Sequence, residues 1–337
     1  MRVLVVKTSS MGDVIHTLPA IEDAAKAIPG IKFDWLIEEG FQEIPAWHDS
    51  VDKVIPIALR RWRKSWLKAF FSGEIKLFLK RLREKKYDLI IDAQGLLKSA
   101  VPAKFARGTL IGFDKASARE GIAAKFYDRD LTVDKSLHAI ERVRRLFAQS
   151  LGYQYQDASP SVKLNLNRAE GDKKGVLFLH STTWPSKHWP DDSWLALGRA
   201  LKQKGEAIYL PWATAQEKDR AEWLGKQLNV PVLPKLSLTE IAELMLKVKA
   251  VVGVDTGLTH LAALLDVRSI GIYGSTDVGL TGALGLNHKN LSANYECSPC
   301  MNKVCKMLDG NNKQPCFGSI APESILTNLE ELRRHES

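Results

Sequence analysis

Short apolar runs alternate with amphipathic stretches along nearly the whole chain. In the first half, the runs at 3–6, 33–37, 54–57, 89–91 and 110–113 predict largely buried strands. Between them, Ile15, Leu18, Ile21, Ala25 and Ile28 follow Gly12-Asp13 at the spacing of one helical face. Residues 136–151, with Ile140, Val143, Leu146 and Phe147, predict a long closing helix. Residues 153–170 are polar, carry a proline and lack a helical stripe. They predict a linker over 156–170 that separates a domain at 1–155 from a domain at 171–321. In the second domain the strand pattern recurs at 176–179, 207–210, 230–233, 251–254 and 270–273. Each of the first four is followed by a helical segment, for example 193–204 and 238–249. Ile325, Leu329 and Leu332 give residues 322–337 the spacing of a C-terminal helix. Regular β–α alternation predicts parallel sheets with helices on both faces. The expected fold class is α/β, with two Rossmann-like doubly wound domains facing a central cleft and ligands at the carboxyl ends of the strands.

The length of 337 residues agrees with two domains. A hydrophobic content of 45% and a charged content of 26% are those of a soluble globular chain. No apolar run approaches the roughly 18 residues of a membrane span. The start, Met1-Arg2-Val3-Leu4-Val5-Val6-Lys7, reads as a buried strand rather than a signal peptide. All four cysteines crowd into 297–316, which argues against a secreted disulfide scaffold and for a cytoplasmic protein. The net charge of +9 is concentrated: residues 60–86 hold eleven Lys or Arg against Glu74 and Glu84, and the rest of the chain is balanced. Any anionic partner must therefore meet that segment. Trp62, Trp66, Phe70, Phe71 and Phe78 are interleaved with its charges, as in a stacking platform for single-stranded nucleic acid. At helical spacing the same aromatics form the buried side of amphipathic helices, and no nucleic-acid motif accompanies them. A non-enzymatic nucleic-acid-binding protein is thus the rival from another class, and no nucleic-acid partner is expected.

Three loops that follow predicted strands carry candidate chemistry. Lys7-Thr8-Ser9-Ser10-Met11-Gly12-Asp13 is small and polar and ends at a helix start, where N–H groups suit an anion. It is neither a Walker loop nor a GxGxxG fingerprint. Asp13 either caps the following helix or offers a carboxylate to the cleft as a proton acceptor. His16 and Thr17 read as packing and capping residues. In Val254-Asp255-Thr256-Gly257-Leu258-Thr259-His260 a strand runs into a glycine and a helix start, which suits phosphate oxygens. His260 is either a donor to those oxygens or an ordinary packed histidine. In the loop at 180–190, Thr182, Thr183 and Lys187 suit an anion, while the tryptophans read as structural. Glu217 either binds a ribose diol or is a solvated glutamate at a helix start. The spacing Cys297-x2-Cys300-x4-Cys305-x10-Cys316 opens like a zinc site but continues more loosely, so reduced thiols are expected.

Together, KTSSMGDVIHTLPA, WPSKHWP and VDTGLTHLAALLD resemble glycosyltransferase family 9, the bacterial heptosyltransferases of lipopolysaccharide core assembly. IKFDWLIEEGFQEIPAWH, VIPIALRRWRK, YDLIIDAQGLLKSA and SARE…FYDR resemble in particular its branch that adds the first heptose. The resemblance implies a GT-B fold, ADP-L-glycero-D-manno-heptose as donor and the Kdo of Kdo-lipid A as acceptor. It also implies work at the cytoplasmic face of the bacterial inner membrane. By motif position it implies Asp13 as catalytic base with Ser10 beside it. Thr182, Thr183, Lys187, Asp255, Thr256, Gly257 and His260 fall on donor positions, with Glu217 on the ribose and Leu236 on the adenine. A nucleotide diphosphate leaves readily when positive charge and N–H donors meet it. One carboxylate then suffices, with Lys187 and the helix start at 256–260 assisting departure and inversion at the anomeric carbon. No acidic DxD cluster is present, so no metal is expected. The cysteines depart from the pattern of that branch, and a relative adding a later heptose is the closer rival. Arg60, Arg61, Arg63 and Lys64 are the expected contacts to a polyanionic acceptor and an anionic membrane surface.

Overall fold

Strands buried on both faces need covering layers on both sides, and the chain meets that need twice. The computed structural model describes residues 1–168, 171–310 and 313–334, the side chains of Trp66, Arg333 and Arg334 excepted. Linker positions 169–170, helix positions 335–337 and the Trp66 side chain of the expected aromatic series lie outside the described residues. The chain divides into two compact units, Met1–Asn165 and Leu166–Ser337.

The first unit holds β1 (Arg2–Val6), β2 (Lys32–Glu38), β3 (Val51–Ile57), β4 (Lys86–Asp92), β5 (Arg107–Phe113) and β6 (Arg129–Leu131). They form one parallel sheet in the order β3-β2-β1-β4-β5-β6. Val3, Leu4, Val5 and Val6 are all fully buried, as a central parallel strand requires. The second unit holds β7 (Val176–Leu179), β8 (Ile208–Tyr209), β9 (Ala250–Val254), β10 (Ser269–Tyr273) and β11 (His288–Ser292). Its parallel order is β11-β10-β9-β7-β8. The first order is that of a dinucleotide-binding doubly wound sheet. The second is the other common doubly wound order, that of flavodoxin. In each, the order reverses beside the unit's first strand: between β1 and β4, and between β7 and β9. Loops leaving those strands at their carboxyl ends are where such sheets bind ligands.

Several expectations need correction. Residues 230–233 do not form a strand: Pro231 lacks an N–H, Pro234 follows, and Leu233 N–H bonds the carbonyl of Leu210, just beyond β8, at 3.3 Å. The first helical stretch breaks at His16-Thr17 into Met11–Ile15 and Leu18–Ala27, and Ala24 rather than Ala25 is buried. Strands β6 and β11 escape the pattern because both are half-exposed, polar strands at sheet edges. Residues 153–165 fall within the first unit. The buried Arg144 donates to Asp23 at 2.6 Å and to the carbonyls of Ala158 at 2.7 Å and Gln156 at 3.2 Å. Trp189 is structural as expected, sitting edge-on to Trp194 at 5.1 Å in the second core.

Gly253 on β9 shows how tightly packing sets the loop beyond it. A Cβ there would collide with the Thr259 hydroxyl and stand 3.0 Å from Leu179 Cβ. The same hydroxyl donates to the Val254 carbonyl at 2.6 Å, fixing the helix Gly257–Leu264 against the strand. Gly253→Ala is expected to lower stability by about 1 to 3 kcal/mol, which denaturant titration checks.

Candidate active site

At the switch point of the first sheet, the chain leaving β1 folds into a short helix whose third residue is Asp13. Its Oδ2 accepts from the Ser10 amide and hydroxyl, each at 2.9 Å, so the carboxylate closes a capping box. Capping does not use up the carboxylate, because Oδ1 is not part of the box. Oδ1 meets the Arg119 guanidinium at 2.5 Å and Lys7 Nζ at 3.9 Å. Burial pushes the Asp13 carboxyl up, but Lys7, Arg119 and the Ser10 amide outweigh it and hold the group well below the usual carboxylate range.

Lys7 is itself buried, and burial lowers its ammonium to a pKa of about 8. It donates to the Ala93 carbonyl at 2.8 Å, a link made possible because β4 lies beside β1. Gln94, next in that loop, accepts from the Thr8 amide and hydroxyl at 2.7 and 2.8 Å, which leaves its buried Nε2 without a protein partner. Arg142 stacks over Phe113 at 5.1 Å and donates to the Ser117 carbonyl at 2.6 Å. Asp13, Lys7, Arg119, Arg142, Gln94 and His16 line one small pocket. Three cations around one carboxylate give that pocket a net positive charge, which suits an anionic group presented together with a hydroxyl.

The second sheet builds a complementary arrangement. Asp255, at the end of β9, pairs with Lys187 at 2.7 Å and lies 3.6 Å from His260 Nε2. It also accepts from the Thr276 hydroxyl at 2.5 Å. Burial raises its carboxyl, but the His260 hydrogen bond and the Lys187 charge win, so it stays ionised far below the ordinary range. The Thr182 hydroxyl ties the loop after β7 to the Asp255 carbonyl at 3.0 Å. Lys187 also lies 4.5 Å over the Trp184 ring, so that tryptophan does more than pack. Thr256 is the N-cap of Gly257–Leu264 and its side chain makes no capping bond to the first-turn amides.

Thr182, Thr183 and Glu217 line a single pocket with Arg220 and Trp223. One oxygen of Glu217 is already used, accepting from the amides of Ala213 at 2.8 Å and Thr214 at 3.0 Å in a capping box. Leu236 stands half-buried in the stretch before the helix Leu238–Lys247 and does not line that pocket.

Arg60, Arg61, Arg63 and Lys64 all lie on the exposed helix Leu59–Lys64. They are not equivalent. Arg61 is paired with both Glu39 and Glu74, and the Arg60 guanidinium sits 5.3 Å over the Phe41 ring. The cysteines are free thiols, with Cys316 buried and raised to a pKa of about 11 chiefly by burial. Among the described residues no group of three or more His, Cys, Asp or Glu is arranged to hold a metal ion.

Sequence reasoning assigned no role to Lys7, Gln94, Arg119 or Arg142. Lys7 stands 86 residues from its Ala93 partner, and Arg119 stands 106 residues from Asp13. No local spacing connects such groups. Only the β1–β4 adjacency brings the first pair together.

Comparison with known proteins agrees with this architecture. The glycosyltransferase family 9 (heptosyltransferase) model matches residues 75–309. Lipopolysaccharide heptosyltransferase 1 of Pseudomonas aeruginosa is 46% identical, with 98% of each chain covered. The solved structure of E. coli heptosyltransferase WaaC with ADP superposes with a TM-score of 0.87 at 44% identity, covering 98% of this chain and all of that one. WaaC with ADP-2-deoxy-2-fluoro heptose gives a TM-score of 0.83 at 43% identity, covering 98% of this chain and 99% of that one. Two parallel α/β units of this kind define a glycosyltransferase of GT-B type. The chain belongs to glycosyltransferase family 9, the heptosyltransferases.

If Asp13 and Lys7 act in the reaction, their environments predict a pH profile. Asp13, with its pKa depressed, stays ionised through the ordinary carboxylate range, so no acid limb of kcat/KM is expected there. Lys7 loses its proton as pH rises through about 8, and kcat/KM is expected to fall as the positive potential of the pocket falls. Lys7→Met should give a lower rate without that alkaline limb, which steady-state kinetics across pH will check.

Proposed function

We propose that this enzyme transfers L-glycero-D-manno-heptose from ADP-heptose to the Kdo of Kdo-lipid A, with inversion and without a metal. It works at the cytoplasmic face of the bacterial inner membrane. The observation that carries the reading is Asp13: one ionised carboxylate, free of protons at neutral pH, set among Lys7, Arg119 and Arg142. Kdo is a sugar acid, so an acceptor bringing both a hydroxyl and a carboxylate suits a base ringed by cations. The ADP and ADP-2-deoxy-2-fluoro heptose of the WaaC structures support the donor assignment.

In this reading the acceptor hydroxyl oxygen attacks the anomeric carbon of the heptose. Its proton passes to the Asp13 carboxylate, and the bond from that carbon to the diphosphate oxygen breaks. ADP leaves with the electron pair. Lys187, drawn from Asp255 toward the diphosphate, and the first-turn amides at 256–258 stabilise the departing charge. Thr182, Thr183 and His260 donate to the phosphates, Glu217 uses its remaining oxygen on the ribose, and Leu236 packs on the adenine. Ser10 steadies the base through its two bonds to Asp13. Diphosphate stabilisation comes from the protein itself, so EDTA should leave the rate in place. A chelator-sensitive rate restored by magnesium would contradict that.

The direct test measures ADP release with Kdo-lipid A, with a heptosylated acceptor, and with neither. Release with Kdo-lipid A alone is expected, and release only with the heptosylated acceptor would assign a later step. Asp13→Ala is expected to abolish turnover while ADP-heptose affinity by calorimetry stays near wild type, because Asp13 belongs to the other unit. Lys187→Ala should lose both rate and donor affinity. Neutralising Arg60, Arg61, Arg63 and Lys64 together should raise the acceptor KM on the order of tenfold at low salt and little at high salt. The donor KM should hardly change. Arg61→Ala alone should have the smallest effect, since Glu39 and Glu74 already meet its charge.

A further inference from the structure

The basic segment folds into three short helices, Leu59–Lys64, Trp66–Phe71 and Glu74–Leu82. One apolar side of it is internal. Phe78 and Leu82 are buried in the core of the first unit, and Trp62 lies edge-on to Phe78 at 5.5 Å. The other side faces outward. Leu67, Phe70 and Phe71 stand at i, i+3 and i+4 on one helix and are 52%, 62% and 80% exposed. Phe70 and Phe71 meet each other edge-on at 5.6 Å. Three adjoining large apolar side chains left in water mark a surface that another body covers.

The charges around this face say which body. Arg63, Lys64, Lys68 and Lys76 are exposed, and among the described residues no carboxylate pairs with them. The two acids of the segment are engaged elsewhere, Glu74 with Arg61 and Glu84 with Lys53. An apolar tip with exposed, unpaired cations beside it in the chain is the chemistry of an interfacial anchor for an anionic bilayer, in which rings enter the headgroup–acyl boundary and ammonium groups meet phosphates.

We propose that Leu67, Phe70 and Phe71 insert into the interfacial layer of an anionic lipid bilayer, with Arg63, Lys64, Lys68 and Lys76 on its headgroups. This deepens the functional reading and rests on its lipid-borne acceptor, since the anchor holds the Asp13-bearing unit at the surface where that acceptor lies.

The test uses the full chain and vesicles of phosphatidylglycerol and phosphatidylethanolamine. The wild-type protein should co-sediment with them at low salt and not with phosphatidylcholine vesicles. The double variant Phe70→Ser/Phe71→Ser should lose about tenfold in vesicle affinity. It should keep its melting temperature and wild-type turnover on an acyl-free Kdo acceptor. In a Phe71→Trp variant, lipids brominated on their acyl chains should quench fluorescence beyond the wild-type level. Unchanged vesicle affinity in the double variant, or no added quenching, would overturn the proposal. So would self-association that the double variant abolishes while vesicle binding persists, because a second copy would then cover the face. Loss of vesicle binding with intact ADP release on detergent-dispersed Kdo-lipid A separates the two readings. Wild-type protein that releases ADP there yet ignores anionic vesicles overturns the anchor alone, and absence of release refutes the function.

Discussion

A carboxylate withdrawn from water stays ionised only where fixed cations replace its hydration, and each sheet of this enzyme places one such carboxylate at its switch point. Asp13 is held by Lys7, Arg119 and the Ser10 amide, and Asp255 by Lys187 and His260. Much of the surrounding architecture serves these two charge clusters. Strand β4 must lie beside β1 for Lys7 to reach Ala93, and β9 beside β7 for Lys187 to reach Asp255. The parallel order of each sheet is therefore an electrostatic requirement as well as a packing solution.

The two clusters differ in the sign they present. In the first, cations outnumber the carboxylate, so an incoming anion is attracted while the base remains unprotonated. The second holds its lysine in reserve on Asp255, a partner that a diphosphate can displace because it carries more charge and meets helix amides as well. Holding a cation on a carboxylate keeps a buried ammonium satisfied before substrate arrives and costs less than leaving it unpaired. On the proposed reading, the pairing is the resting state of a leaving-group site.

Much of this was legible in the sequence, for physical reasons. Buried parallel strands must be continuous apolar runs, so β1, β2, β7 and β9 stand out by hydrophobicity alone. Edge strands escape that rule, which is why His288–Ser292, with its lysine and histidine, carries no signal. Apolar content misleads in the opposite sense at 230–233, where prolines remove the donors a ladder needs. Among the candidate site residues, Asp13, Lys187, Asp255 and His260 sit in the turns and helix starts that follow strands and could be singled out one by one. Their partners could not. Arg119 follows β5, and Arg142 lies on the closing helix Ala139–Leu151, where it resembles any other arginine until Phe113 and Ser117 are seen against it. The charge run at 60–86 was visible as a number. Which of its cations are already paired, and that Phe70 and Phe71 face outward while Phe78 does not, depends on three-dimensional contacts alone.

In the proposed mechanism, with Asp13 as base and a diphosphate as leaving group, the reaction is one displacement. The configuration of the product tests that mechanism most directly. Proton and carbon NMR of the purified heptosylated acceptor, compared with the donor, reads the anomeric centre before and after transfer. The account predicts a complete inversion of configuration with wild-type enzyme. Retention would mean attack on the face that the diphosphate leaves, or a double displacement, and would contradict the role given to Asp13.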